Sequence, residues 1–225
     1  MKENYEGENL FVENDIRVTK TAVKVLPWLI LVFPLLIILS MVGIFQAKIG
    51  ELLVLTAIAL VVTMGPGIAY KMNMPVHIMK YLTTFALAAL IALMATNAAL
   101  GIYMTYAFAM VFSLFYYDKK FTIQVSIVSF ILLVISLYFR SLSVQQIEYE
   151  TNFMWFFSRC LGFLLETVVM SLICMKIADL SHQMLAKFAD TKQTAAMVEE
   201  CEKASEELGG VVEQMEMETG FSMFR

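Results

Sequence analysis

From residue 25 to residue 177 the chain is a series of long apolar runs separated by short polar joints, while both flanks are polar. This layout constrains the fold more than any single residue does. A helix needs about 20 mostly apolar residues to cross the hydrocarbon core of a bilayer, and the runs have that length. Apolar residues make up 60% of the chain and charged ones 16%, against roughly 45–50% and 25% in soluble domains. The sequence therefore predicts an all-α membrane protein, with lipid as its surroundings.

Six spans are expected, at residues 25–46, 52–70, 81–96, 99–117, 121–139 and 153–177. Pro27 falls in the first turn of the first span, where a missing N–H costs little, and Pro34 falls inside it, where a kink is expected. Gly65-Pro66-Gly67 is expected to bend or end the second span. Only Asn97 and Ala98 separate the third span from the fourth, so a tight hairpin is expected there. Residues 1–24 form a polar N-terminal segment, and residues 178–225 a helical tail of short coiled-coil character. Ala86, Ala88, Ala89, Ala92, Ala95 and Gly101 are small residues of the kind that let membrane helices approach closely.

Lysine and arginine accumulate on the cytoplasmic side of a membrane. Lys2, Arg17, Lys20 and Lys24 precede the first span, and Lys71, Lys80, Lys119 and Lys120 lie in alternate joints. Lys176, Lys187 and Lys192 follow the last span, whereas the other joints hold only Lys48 and Arg140. This alternation implies a multi-pass protein of the cytoplasmic membrane with both ends in the cytoplasm. Trp28, Tyr70, Tyr81, Tyr116, Tyr117, Tyr138 and Trp155 lie near span ends, as in an interfacial aromatic belt.

Within the sixth span, Arg159 and Glu166 are seven residues apart, two turns on one side of a helix. An ionisable group at mid-bilayer is costly, so Glu166 is expected to face the bundle interior. Two readings stand beside each other. In one, Arg159 and Glu166 line a ligand-sensing or proton-responsive cavity. In the other, Glu166 bonds polar neighbours such as Gln124 or Ser129 and holds the bundle together.

No catalytic constellation, cofactor motif or metal-ligand spacing stands out. The net charge of −4 gives no reason to expect a nucleic-acid partner. Cys160, Cys174 and Cys201 show no paired spacing and read as small hydrophobes. His182, in Ser181-His182-Gln183, resembles the phosphoacceptor box of histidine kinases but reads as a solvated interfacial residue.

The tail carries Asp179, Asp190, Glu199, Glu200, Glu202, Glu206, Glu207, Glu213, Glu216 and Glu218. Val198, Cys201, Ser205, Leu208, Val212 and Met215 recur at steps of three and four, a heptad seam. Glu199-Glu200 and Glu206-Glu207 lie one heptad apart. The stretch from Ala204 to Met215, with Ala195-Ala196-Met197-Val198-Glu199-Glu200 before it, resembles the start of the signalling domain of bacterial methyl-accepting chemotaxis proteins. The resemblance implies a homodimeric transducer whose membrane part senses a signal. It also implies that Glu199, Glu200, Glu206 and Glu207 accept methyl groups.

The family's kinase-binding hairpin, HAMP connector and large periplasmic domain have no counterpart here, and Lys203 stands where an alanine is expected. Coupling to chemotaxis signalling proteins would need a longer receptor. The expectation is therefore a six-span sensory module of a truncated chemoreceptor-like transducer. A small transporter component and the membrane input domain of a sensor histidine kinase are the alternatives. The topology is directly testable: in a cysteine-free background, an impermeant thiol reagent added outside should label a cysteine at Gln145 but not at Asn73 or Gln193. Labelling at Gln193 would overturn it.

Overall fold

A computed structural model describes residues 3–44, 47–97, 105–142 and 151–222. Among them every regular element is a helix. Helix α1 is Glu3–Val25, followed by a 3-10 segment Leu26–Leu31 and α2, Val32–Met41. Helices α3, Ile49–Lys71, and α4, Val76–Ala95, come next. A short apolar stretch, Thr105–Tyr116, contains α5, Phe108–Ser113, between two 3-10 turns. Helix α6 is Lys119–Ser141, and α7 runs from Asn152 to Ser222. Among the described residues, five helical stretches are long and apolar enough to cross a membrane: Leu10–Met41, α3, α4, α6 and Asn152–Phe188. Ala98 of the expected Asn97-Ala98 hairpin, the first residues of the fourth expected span and most of the loop after α6 lie outside the described residues.

Several sequence expectations change in detail. The polar N-terminal segment is helical from Glu3 and leads without a gap into the first apolar stretch. The irregularity expected at Pro34 takes the form of the 3-10 segment Leu26–Leu31, which begins beside Pro27. The two prolines remove the N–H groups that would bond the carbonyls of Val23 and Ile30, and the tighter 3-10 winding accommodates that loss. Gly65-Pro66-Gly67 does not end α3, which continues to Lys71. The described part of the fourth stretch, Thr105–Tyr116, winds as 3-10 turns on either side of α5 where one continuous α-helix is expected.

The chain forms two compact units, Phe11–His182 and the remainder, so the helical tail from Gln183 groups with the start of α1. In the larger unit α4 is the central helix, with 56% of its apolar window buried against 11% for α7. Alanines are responsible: Ala86, Ala88 and Ala95 are buried and let neighbours approach the α4 backbone. The core around them holds Leu87, Ile91, Tyr106, Met110, Phe121, Val125, Leu133 and Phe163. Many hydroxyls in the bundle bond backbone. The Ser136 hydroxyl lies 2.7 Å from the Ala92 carbonyl on α4 and 2.8 Å from that of Leu132 on its own helix.

Phe121 is fully buried, with Tyr81 and Tyr116 edge-on to it at centroid distances of 5.0 and 5.2 Å. Phe121→Ala should cost about 3–5 kcal/mol, since the cavity stays unfilled. Phe139→Ala, on the exposed side of the same helix, should change thermal unfolding in lipid nanodiscs little. Equal losses from the two would contradict this packing.

Candidate functional site

The most organised polar group in the larger unit centres on Lys80. Helix α4 starts at Val76, four residues before Lys80, so Lys80 is in its first turns and not in a joint. The side chain is only 8% exposed. Its ammonium lies 3.3 Å from an Asp15 Oδ2 on α1 and 3.1 Å from an Asp118 Oδ2 ahead of α6. It also stands over the rings of Phe121 and Tyr116, at 4.7 and 5.1 Å from their centroids. An ammonium so far from water needs paired charge and hydrogen bonds, and two carboxylates and two π faces provide them.

Local backbone chemistry places each partner. Tyr117 adopts a left-handed conformation, φ 53°, at the end of the turn after α5. The chain reverses there and Asp118 becomes the N-cap of α6, its Oδ1 accepting the Phe121 N–H at 3.1 Å. One carboxylate thus caps a helix with one oxygen and binds Lys80 with the other. Asp15 belongs to a stripe on α1, Phe11, Asp15, Thr19 and Ala22, at helical spacing that continues to Leu26 in the 3-10 segment. Thr19, Ala22 and Leu26 are buried. The Tyr116 hydroxyl lies within 3.3 Å of Thr19 and 3.4 Å of Thr83, joining α1 and α4 behind the ion cluster.

A cavity of about 380 Å³ opens in front of this cluster. Phe11, Asp15, Lys80, Tyr116, Tyr117, Asp118, Lys119, Lys120, Asp179 and His182 line it. His182 is not simply solvated. Its ring stacks on Phe11 at 4.5 Å, and Nδ1 lies 3.0 Å from the Tyr117 carbonyl, a geometry in which Nδ1 carries the donated proton. At Asp118 burial opposes the charged form, yet the Phe121 N–H, Lys80 and the Lys120 N–H hold its carboxyl below the usual value of 3.8.

The two residues expected to form one intramembrane site take separate partners. Glu166 is exposed, at the edge of the bundle and not in its interior, and its Oε2 accepts the Tyr106 hydroxyl at 2.8 Å. Neither residue named as a neighbour fills that role. Gln124 accepts from Tyr81 at 2.8 Å, and Ser129 lines a small space beside Tyr106. Arg159 is exposed, its guanidinium 6.0 Å from the Trp155 ring, beside a small cavity that Arg140 and Phe163 also line. In the tail, Glu199, Glu200, Glu206 and Glu207 are all exposed, and Glu199 pairs with Lys203 at 2.8 Å. Val198, Cys201, Ser205 and Leu208 of the seam are exposed too. The side chains of Val212 and Met215 lie outside the described residues.

Sequence reasoning missed the Lys80 cluster because it used lysines to assign sides of the membrane. The stripe through Phe11, Asp15 and Thr19 was available as a signal, once the N-terminal segment was treated as a helix. Compared with known protein families, curated proteins and solved structures, the chain matches none of them.

Lys80→Ala leaves two carboxylates facing each other. The Asp15 and Asp118 side chains are 25% and 40% exposed, so water screens them and the expected loss is about 1–3 kcal/mol. Because the folded pKa of Asp118 is lowered, its stabilising contribution is complete above the unfolded value of 3.8. It is lost as pH falls through the folded value. Thermal unfolding should therefore separate the variant from the wild type at neutral pH, with the gap narrowing below about pH 4. A gap independent of pH would show that the ion cluster is not its source.

Proposed function

We propose that the chain is the membrane sensory module of a chemoreceptor-like signal transducer, seated in the cytoplasmic membrane with both ends in the cytoplasm. The observation that carries this reading is α7. One helix, Asn152–Ser222, holds the last apolar span, two residues of the cavity wall, Asp179 and His182, and the exposed glutamates of the tail. A change of charge or occupancy in the cavity acts on α7 directly, and the output residues lie further along the same helix. The exposure of Glu199, Glu200, Glu206 and Glu207 is what a modifying enzyme requires. A small transporter component is the second reading, favoured by the ion cluster at the floor of an open cavity.

Methyl-ester mapping tests the first reading. In cells with an active chemotaxis methyltransferase, peptide mass spectrometry should find esters on these four glutamates, at levels altered by Lys80→Ala. Their absence, in membranes whose resident receptors are methylated, would remove the chemoreceptor-like reading. A solute or proton flux in proteoliposomes that Lys80→Ala abolishes would favour the transporter.

A further inference from the structure

At the end of the bundle away from Lys80, arginines from two helices line one narrow cleft. Arg140 stands in the last turn of α6, and Arg159 two turns into α7. The end of α6 lies beside the start of α7, with the Tyr138 and Phe156 ring centroids 6.1 Å apart. On α6 the cleft wall runs Leu133, Leu137, Arg140, at steps of four and three. On α7 it runs Trp155, Arg159, Phe163, at steps of four. Such spacing holds each set on one side of its helix. The cleft therefore carries two guanidiniums and an indole near the membrane boundary, and Leu133 and Phe163 about 10 Å deeper. Its lining supplies two positive charges and no negative one. Like charges facing one cleft repel, more strongly where water is scarce, and an oxyanion between them reverses the sign of that energy. Arg159 also stands over the Trp155 ring, 6.0 Å from its centroid. A guanidinium stacked on a ring keeps its N–H edge for carboxylate or phosphate oxygens.

We propose that this cleft binds the phosphate of an anionic phospholipid, one with an uncharged hydroxylic headgroup such as phosphatidylglycerol. Arg140 and Arg159 take the phosphate oxygens, a pairing that guanidiniums make with two hydrogen bonds at once. Trp155 lies at headgroup level, as interfacial tryptophans do. An acyl chain runs inward past Leu137, Leu133 and Phe163. A free phosphate matches the charge but leaves that apolar wall uncovered. A choline or ethanolamine headgroup adds a cation, for which the lining holds no carboxylate. The cleft itself has room for about 30 Å³, the share of one water molecule. The phosphate therefore sits at its mouth, between the guanidiniums, and not on its floor. The site needs only the membrane spans, so it stands apart from whatever the tail does.

The test uses the full chain in bilayer nanodiscs of phosphatidylcholine. Trp28→Phe leaves Trp155 as the sole tryptophan, and lipids brominated on the acyl chain near the headgroup quench its fluorescence on contact. At equal small mole fractions, brominated phosphatidylglycerol should quench Trp155 more than brominated phosphatidylcholine. Its affinity relative to phosphatidylcholine should fall roughly five-fold in Arg140→Gln and also in Arg159→Gln, the contribution of one basic residue near an anionic lipid. Arg159 is exposed, so its replacement removes a charge without opening the core. Lys48→Gln, an exposed charge at the start of α3 and outside the cleft, should leave the preference unchanged. Millimolar inorganic phosphate should not relieve the quenching. Equal quenching by the two lipids, a preference that survives both arginine changes, an equal loss in Lys48→Gln, or relief by inorganic phosphate would each overturn the proposal.

Discussion

Lys80 is where three separate parts of the chain are tied together. Its ammonium binds Asp15 on α1 and Asp118 ahead of α6, while its own helix is the buried centre of the bundle. Few interactions available at a membrane boundary are as demanding, since a buried charge must be both neutralised and hydrogen-bonded. Meeting that demand dictates much else. Asp118 must sit at a helix N-cap, so the chain must reverse at Tyr117. Helix α1 must extend far enough for Asp15 to reach α4, and Phe121 and Tyr116 must stack beneath the ammonium. The cavity in front of the cluster follows from the same arrangement, because α7 contributes Asp179 and His182 to its wall while leaving the mouth open.

The rest of the span region is economical with polar groups. Hydroxyls such as Thr63, Thr83 and Ser126 bond a carbonyl one turn earlier in their own helices, so they add polarity without requiring a tertiary partner. Ser136 also reaches a neighbouring backbone. Glu166 instead takes a tertiary partner, the Tyr106 hydroxyl, and is otherwise turned outward on the least buried of the apolar helices.

Much of the architecture was legible from local pattern. The apolar runs locate α3, α4, α6 and the first part of α7 to within a few residues, since run length is set by bilayer thickness and not by tertiary contacts. The acidic tail reads as helical, and it is. Where run length is a poor guide, the reading fails. Gly65-Pro66-Gly67 is read as a bend or an end of the second span, yet α3 continues past it to Lys71. A proline within a membrane helix can be accommodated when neighbours and local backbone adjustment compensate the lost bond.

By itself the sequence determined that this is a helical membrane protein with a charged tail, because hydrophobicity and period are properties of consecutive residues. It also determined that Glu166 is costly where it stands. Only the tertiary structure decided which groups meet: that Lys80 joins Asp15 and Asp118, that His182 stacks on Phe11, and that Glu166 takes Tyr106 and not Arg159. Those pairings join residues 60 or more apart in several cases. Helix rotation and chain reversal set which side chains face one another, and neither is written in any local stretch of residues.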